Sequence, residues 1–195
     1  MNNPKTYVFF GNIGAGKGTQ VELLQKVLED NTGKKVVLGS SGNRYRELIA
    51  LGGHTGLLVK TILDQGKLLP DFLTNGIFTS IIVSELDKNS HLICDGYPRT
   101  IYQSKFFIET MQFYSRNEIE IIYVDVSKDE AIRRIQLRAR DDDTKEGIKN
   151  RFEEYENNVI PAMEYLEKEG FRIHKINGER SVEDVHGDII KSLGL

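Results

Sequence analysis

Short apolar runs alternate along this chain with longer segments in which apolar residues recur at helical spacing. There are five such runs: "TYVFF", "KKVVLG", "HLICD", "EIIYVDV" and "RIHKI". The first and fourth are continuous rather than alternating, which is typical of strands buried on both faces. The pattern predicts an α/β fold in which helices cover a parallel sheet of at least five strands.

Polar and special residues mark where the predicted helices begin and end. Three helix starts are expected where a capping oxygen stands three residues before an acid, at Ser127 with Glu130, Asp143 with Glu146, and Ser181 with Asp184. Gly33 and Gly170 suit helix exits. Pro70 suits the first turn of the next helix, and Pro161 is expected to kink or end the helix that begins near Thr144.

Length and charge limit the classes of protein that remain. The 195 residues suit one domain with a single core. The net charge of −3 gives no bulk reason to expect nucleic acid or an anionic membrane as partner, so any phosphate recognition must come from a local cluster. No stretch approaches the run of about 18 apolar residues that a membrane span needs.

The only cysteine and the first residues indicate a reducing compartment. Cys94 has no partner for an internal disulfide, and its position in the apolar run "HLIC" predicts a buried strand residue. The first ten residues have neither a basic leader nor an apolar core long enough for a signal peptide. We therefore expect a cytoplasmic protein.

The segment "GNIGAGKGTQ", residues 11–20, follows the first strand and opens a helix. Its glycines let successive backbone N–H groups point at phosphate oxygens, while the helix dipole adds positive potential. Lys17 supplies an ammonium group, which we expect to face solvent in the empty loop. A glycine-rich turn with an incidental lysine is the structural alternative. The candidate phosphate-binding residues are Gly14, Ala15, Gly16, Lys17, Gly18 and Thr19.

The common phosphate loop has Ser or Thr directly after its lysine, but here Gly18 intervenes. The form G-x-x-G-x-G-K-G-T-Q resembles the loop of adenylate kinases and related nucleoside monophosphate kinases. Five further segments resemble that family in its order: "GKLLPD", "DGYPRTIYQ", "RRIQLR", "RDDDTKEGIKNRFEEY" and "KINGERSVEDV". The resemblance implies one P-loop kinase domain, residues 1–195, with three α/β/α layers, a helical monophosphate-binding insertion at about 40–70 and a minimal lid at about 138–143.

Two residues are candidate magnesium ligands. Moving the hydroxyl from position 18 to Thr19 turns it by about 100° around the helix, so it does not face the metal as in the common loop. Magnesium tolerates this because it keeps several waters and relies on substrate phosphates. Asp95 ends a strand and suits contact through water, although a turn-capping aspartate is the alternative. Thr19 stays as the second candidate.

The resemblance also implies Mg-ATP as donor and a nucleoside monophosphate as acceptor. The acceptor positions are Ser41, Gly42, Arg46, Lys67, Leu69, Gly96, Arg99, Gln103, Arg140 and Arg151. In the family pattern Arg46 and Arg99 grip the phosphate and Gln103 reads the base. Relatives that accept pyrimidines usually have alanine in place of Ser41 and asparagine in place of Thr100, so AMP is the expected acceptor.

Arginines cluster in the later part of a net-negative chain. Arg134 and Arg138 are four residues apart and share one helix face. The resemblance puts them and Arg180 on the ATP side, with Arg140 and Arg151 spanning the transferring group. Any one of them alone could be an ordinary surface arginine. Phosphoryl transfer requires aligned nucleotides and cations, which implies this catalytic set: Lys17, Arg99, Arg134, Arg140 and Arg151.

Two departures from the family pattern leave alternatives open. Asn43 stands where aspartate is usual, and only Ala139 separates Arg138 from Arg140, which cuts the lid to a tight turn. The acidic run 141–143 is interpreted as a solvated helix start. The alternatives are a UMP/CMP-type or broad-specificity kinase, and a nucleotide-binding regulator or weak ATPase that has lost transfer. A monomer is expected, and the four histidines, His54, His91, His174 and His186, are interpreted as ordinary surface or strand-edge residues.

Overall fold

The structure is a computed structural model that describes residues 3–138 and 144–195, without the side chain of Arg138. Its strands form one fully parallel sheet in the order β2-β3-β1-β4-β5. Their bounds are β1 Thr6–Phe10, β2 Val36–Leu38, β3 His91–Asp95, β4 Ile119–Asp125 and β5 Arg172–Asn177. All five apolar runs are therefore confirmed as strands.

Helices connect the strands and cover both faces of the sheet. Their bounds are α1 Lys17–Thr32, α2 Ser41–Leu51, α3 Gly53–Asp64, α4 Asp71–Glu85, α5 Ile101–Phe113, α6 Lys128–Arg138, α7 Lys145–Glu154, α8 Ile160–Lys168 and α9 Val182–Leu193. One core joins the sheet to α1 and α9, and a second joins its other face to α4, α5 and α8. The predicted three-layer α/β/α architecture is confirmed.

Helices α2 and α3 pack around a small core of their own. Tyr45, Val59 and Leu69 are its buried residues. The Tyr45 hydroxyl lies 3.0 Å from Thr74 Oγ1 and ties this unit to α4. The sheet and this unit are thus joined through α4, whose buried Phe78, Ile81 and Ile82 belong to the core between the sheet and α4, α5 and α8.

Most predicted helix boundaries are confirmed, and one is wrong. Ser127 and Ser181 accept hydrogen bonds from the backbone N–H groups three residues later. The cap of α7 is Thr144, not Asp143, because Thr144 has extended backbone and its Oγ1 accepts from Gly147 N at 3.0 Å. Asp143 itself lies outside the described residues.

Glycine and proline mark the remaining helix ends as expected. Gly33 closes α1 at φ 64°, and its N–H donates to Glu29 O at 2.9 Å. Gly170 follows α8 at φ 94°. Both φ values lie in the left-handed region, which glycine adopts without strain. Pro70 directly precedes α4.

The helical segment before Pro161 widens instead of ending. A π-helical turn, Tyr155–Val159, links α7 to α8, and Pro161 lies in the first turn of α8. Proline has no N–H to donate and its ring crowds the carbonyl four residues earlier. A π turn accommodates such a break without the chain leaving the helix. Pro161 therefore does not end the helical segment, and the alternative, a kink at this residue, stays a prediction.

Two of the histidines are buried, so they are not ordinary surface residues, although both lie at strand edges: one begins β3 and the other is on β5, the outermost strand. His91 begins β3, and its Nδ1 accepts from Lys5 N at 3.1 Å. His174 Nε2 lies 2.8 Å from Glu120 Oε2 on the neighbouring strand. Both imidazoles therefore have structural partners in the sheet.

Because His91 is buried, we predict that the free energy of unfolding depends on pH. Burial lowers the pKa of its imidazole, and the charges of Lys34 and Arg116 lower it further. The unfolded chain then binds a proton below about pH 6.5 that the folded chain rejects, so stability is lost as the pH falls. His91→Gln should weaken this dependence in denaturant unfolding between pH 7 and 5. The exposed control His54→Gln should keep it, and equal slopes in wild type and His91→Gln would contradict the assignment.

Cys94 is confirmed as a buried strand residue, and burial raises the pKa of its thiol well above the usual value. It is therefore a core side chain rather than a reactive thiolate.

As for membranes, none of the helices in the described ranges combines the length and apolarity that crossing a bilayer requires.

Candidate active site

The loop between β1 and α1 curls because three of its glycines adopt positive φ. Gly11, Gly14 and Gly16 have φ of 150°, 82° and 86°. A Cβ atom at Gly14 would lie 2.6 Å from Ala131 O, so only glycine fits where the loop meets α6. The strand, loop and helix occur in the order that the sequence predicts, at the carboxyl edge of the sheet, where ligands of open α/β folds bind.

Lys17 lies across this loop rather than facing solvent, which corrects that expectation. Its Nζ donates to Gly11 O at 2.8 Å and to Asn12 O at 2.9 Å. Two carbonyl oxygens thus hold the ammonium over the curled backbone. Lys17 stabilises the loop in addition to carrying its positive charge.

Gly18 and Thr19 lie in the first turn of α1. Gly16 is the N-cap, and no side chain caps this helix, so its first N–H groups suit an anion. A Cβ atom built on Gly18 meets no described atom within 4 Å. Glycine is therefore not required there by packing, but it leaves the backbone open to close approach by a ligand. Thr19 is exposed.

Arg134 reaches the phosphate loop from α6. Its Nη1 lies 3.9 Å from where a Cβ of Gly16 would be, and its Nε donates to Glu130 Oε1 at 2.6 Å. Hydrogen bonds from Arg133 and Arg134 lower the pKa of the Glu130 carboxyl to about 2. Glu130 stays ionised at neutral pH and orients Arg134, a contact that the four-residue spacing of the pair on one helix indicates.

The turn between β5 and α9 lies beside the amino end of α6. Glu179 Oε1 accepts from Ser127 N at 2.9 Å, and hydrogen bonds from the Ser127 side chain and then from its backbone N–H lower the pKa of the Glu179 carboxyl. Arg180, the third predicted ATP-side arginine, forms an ion pair with Asp188. Gln20 Nε2, just after the phosphate loop, donates to Val182 O at 3.0 Å. These bonds join α1, α6 and the turn that carries Arg180.

Asp95 ends β3 directly beside the phosphate loop. Its partner in the parallel register is Phe9, two residues before Gly11. Among the residues that the structure describes, no group of three or more His, Cys, Asp or Glu side chains is arranged to hold a metal ion. A single carboxylate next to phosphate-binding backbone matches the few protein ligands that magnesium takes when phosphates and waters complete its shell.

Gly96 and Arg99 lie in the loop that follows Asp95 at the carboxyl end of β3. Gly96 has φ 73°, and the Arg99 guanidinium folds against it so closely that an added Cβ would collide with Nη2. The loop that carries them is anchored by Tyr97, whose ring stacks on Phe78 with centroids 4.1 Å apart. The Tyr97 hydroxyl donates to Asn75 Oδ1 at 2.9 Å.

The helical unit contributes the remaining predicted acceptor positions. Ser41 is buried at the start of α2, followed by Gly42. Arg46 is exposed one turn later, and its guanidinium donates to the Asn43 amide oxygen. Asparagine in place of aspartate leaves that guanidinium without a negative neighbour at this contact. Lys67 is exposed and Leu69 is buried in the segment before α4.

Gln103 is held inside a hydrogen-bond network instead of being open to solvent. Its side-chain Oε1 accepts from Arg99 N at 2.8 Å, and its Nε2 donates to Asp71 Oδ1 at 2.8 Å. Thr100 Oγ1 donates to the same Asp71 oxygen at 2.9 Å. Gln103 is 1% exposed. Asp71 ends the family-like segment "GKLLPD", but its contact with Gln103 was not predicted, because the two residues lie 32 positions apart in sequence.

Arg151 lies on α7, which docks against the helical unit. Asn150 Nδ2 donates to Gln65 O at 2.8 Å, and a Cβ on Gly66 would collide with Gly147 O. This helix therefore carries Arg151 to the loop between α3 and α4. Arg140, Ala139 and the acidic run 141–143 lie outside the described residues, as does the side chain of Arg138.

Two surface cavities flank the site without including the phosphate loop. One, of about 460 Å³, is lined by Ser127, Asp129, Glu130, Arg133 and Glu179. Its three carboxylates do not suit an anion. The other, of about 380 Å³, lies between α6 and α7 around Phe152.

Comparison with known proteins identifies relatives along nearly the whole chain. A sequence model of the family described as adenylate kinase matches residues 9–171. The adenylate kinase of Leptospira biflexa serovar Patoc is 31% identical over 193 residues, covering 97% of this chain and 100% of that protein. The adenylate kinase of Mycolicibacterium vanbaalenii is 31% identical over 187 residues, with coverage of 96% and 98%. That of Prochlorococcus marinus (strain AS9601) is 32% identical over 185 residues, with coverage of 95% and 96%.

Proposed function

Because this chain belongs to the adenylate kinase family, we propose that it transfers the γ-phosphoryl group of Mg-ATP to AMP and reversibly forms two ADP. One observation carries the proposal: the phosphate loop and the Gly96–Arg99 loop follow the adjacent parallel strands β1 and β3 at the carboxyl edge of the sheet. A phosphotransferase needs a donor and an acceptor phosphate held in line. Two cationic loops on adjacent strands supply both halves of that arrangement.

The donor half is the phosphate loop with Arg134, Arg138 and Arg180. Backbone N–H groups of residues 14–19 bind the β- and γ-phosphates. The ammonium group of Lys17 stabilises the negative charge of the phosphoryl group while it transfers to the acceptor. Glu130 supports this role for Arg134, since it fixes the guanidinium beside Gly16. Charges fixed before the reaction stabilise the transition state without reorganisation.

The acceptor half consists of Arg99 beside Gly96, with Ser41, Gly42, Arg46, Lys67 and Leu69 from the helical unit. Arg46 and Arg99 grip the phosphate of AMP, and Gln103 reads the base. Arg140 and Arg151 span the two phosphates. The docking of α7 on the loop after α3 supports this role for Arg151, because it brings the helix to the acceptor side. Residues at about 40–70 serve as the monophosphate-binding insertion, and the minimal lid is expected at about 138–143.

Magnesium is the expected metal, held by ATP phosphates and water with Asp95 in contact through water and Thr19 as a second candidate. Asp95 beside the phosphate loop supports this. When bound, the ion neutralises charge on the β- and γ-phosphates. Asp95 would hold the ion through water, and the chain's own contribution would be to place that carboxylate beside the phosphate loop.

AMP is favoured over pyrimidine monophosphates, since the relatives described above are all called adenylate kinase. Ser41 and Thr100, at positions where pyrimidine kinases differ, support the same choice.

The protein acts as a cytoplasmic monomer. Its only cysteine is a buried thiol, which fits a reducing compartment.

ADP formation measured in a coupled assay tests this function. With Mg-ATP, ADP should appear rapidly on addition of AMP and much more slowly with CMP or UMP. Omitting AMP should leave only slow hydrolysis, because the acceptor phosphate is missing. ADP production indifferent to every monophosphate would instead indicate the weak ATPase, and a preference for CMP or UMP would indicate the pyrimidine kinase.

A further inference from the structure

The side-chain amide of Gln103 has one orientation, and two partners of opposite kind fix it. Arg99 N–H can only donate, so it requires the Gln103 oxygen at 2.8 Å. The Asp71 carboxylate accepts, so it takes the Gln103 nitrogen at 2.8 Å. Turning the amide over would place donor against donor and acceptor against acceptor. The two partners therefore exclude the flipped orientation.

The fixed amide keeps one further hydrogen on Nε2 and one further lone pair on Oε1. One donor and one acceptor of the amide therefore remain for pairing with a base. Adenine offers the complementary pair, an N6 amino donor and an N1 acceptor. Hypoxanthine offers the reverse, an O6 acceptor and an N1–H donor, and could pair only with a flipped amide.

Asp71 comes from a different helix than Gln103 and contacts it through the same oxygen that accepts from Thr100 Oγ1, at 2.9 Å. The Thr100 hydroxyl in turn accepts from Gln103 N at 3.1 Å and caps α5. The first turn of α4 is thereby joined to the first turn of α5. Without Asp71, the Gln103 amide would keep only the Arg99 anchor and could turn about that one hydrogen bond.

We infer that Asp71 is a positioning residue that sets base specificity, because it fixes the Gln103 amide in the orientation that pairs with a 6-amino purine and rejects a 6-oxo purine. The inference rests on the proposed function for its choice of site. Gln103 is 1% exposed, so the base reaches its amide only when the covering side chains move apart. A purely structural link between α4 and α5 would affect stability without affecting the choice between AMP and IMP.

The test compares equilibrium binding of AMP and IMP, which differ at the reading edge alone. Calorimetry should give tighter binding of AMP in wild type. In Asp71→Ala the ratio of the two dissociation constants should fall about tenfold, the factor expected when one hydrogen bond to a charged group is lost. The dissociation constant for ATP should stay within twofold. Asp71→Asn, which keeps an accepting oxygen, should restore most of the preference.

Two further variants separate specificity from stability. Tyr45→Phe removes a hydrogen bond to Thr74 on the same helix α4 without touching the Gln103 amide, so it should keep the AMP preference. If Asp71→Ala does not fold, Asp71→Ser keeps a polar residue at the start of α4 but is too short to hold the amide, and it should show the same loss.

An unchanged AMP-to-IMP ratio in the folded Asp71 variant, or an equal loss in Tyr45→Phe, would overturn the inference. Binding is measured without turnover, so this failure is distinct from failure of the proposed function. A protein that binds AMP selectively but does not form ADP would refute the kinase proposal and leave the role of Asp71 supported.

Discussion

Replacing Lys17 by methionine is expected to lower kcat/KM by about 10³ or more. Methionine keeps the length of the side chain but removes the ammonium group that stabilises the transferring phosphoryl group. Removal of such a charge lowers the rate of phosphoryl transfer by this order of magnitude. Steady-state ADP formation from Mg-ATP and AMP measures the effect. The loss should be mainly in kcat, because the charge develops in the transition state.

The contacts of Lys17 add a smaller effect on stability. Its hydrogen bonds to Gly11 O and Asn12 O disappear in the variant, which should lower the free energy of unfolding by about 1 kcal/mol. Lys26→Met, on the exposed face of the same helix, should leave both activity and stability close to wild type. Activity within tenfold of wild type in Lys17→Met would remove this residue from the reaction.

Replacing Arg151 by alanine is expected to depress transfer to AMP by about 10³, the lower end of what a charge-stabilising arginine contributes. Hydrolysis of ATP without AMP should fall much less, since attack by water does not need the acceptor to be clamped. Measuring both activities gives the ratio of transfer to hydrolysis. That ratio should drop sharply in Arg151→Ala.

Lys149→Ala provides the matched control for Arg151. Lys149 lies two residues earlier on α7, is exposed, and pairs with Glu153 at 3.6 Å. Its loss removes a positive charge from the same helix, and such exposed pairs contribute little to stability. Unchanged transfer in Arg151→Ala, or equal losses in both variants, would place Arg151 outside the acceptor site.

The sheet and the phosphate loop were predictable because their signals are local. Each of the five strands lies at one of the short apolar runs, although β5 alternates between buried and exposed residues instead of being buried on both faces. The loop needs glycines at fixed spacing between a strand and a helix, and Gly11, Gly14 and Gly16 adopt the positive φ that this spacing implies. Each feature depends on neighbours within one segment of sequence.

Two of the features that sequence reasoning missed depend on contacts between segments, and a third is a local choice between two neighbouring helix caps. The burial of His174 depends on Glu120, a partner from another strand. Gln103 and Asp71 meet only after α4 and α5 have packed. The cap of α7 moved by one residue because Asp143 and Thr144 both have a capping oxygen, and the backbone conformation selects Thr144. Residue composition and spacing alone do not predict these contacts.

The central claim is that ATP and AMP react with each other on this protein. The most direct measurement follows the label from ATP labelled in its γ-phosphate, with magnesium and with or without AMP. The account predicts that AMP directs the label into ADP, with little released as inorganic phosphate. Label that appears in inorganic phosphate at the same rate with and without AMP would contradict it.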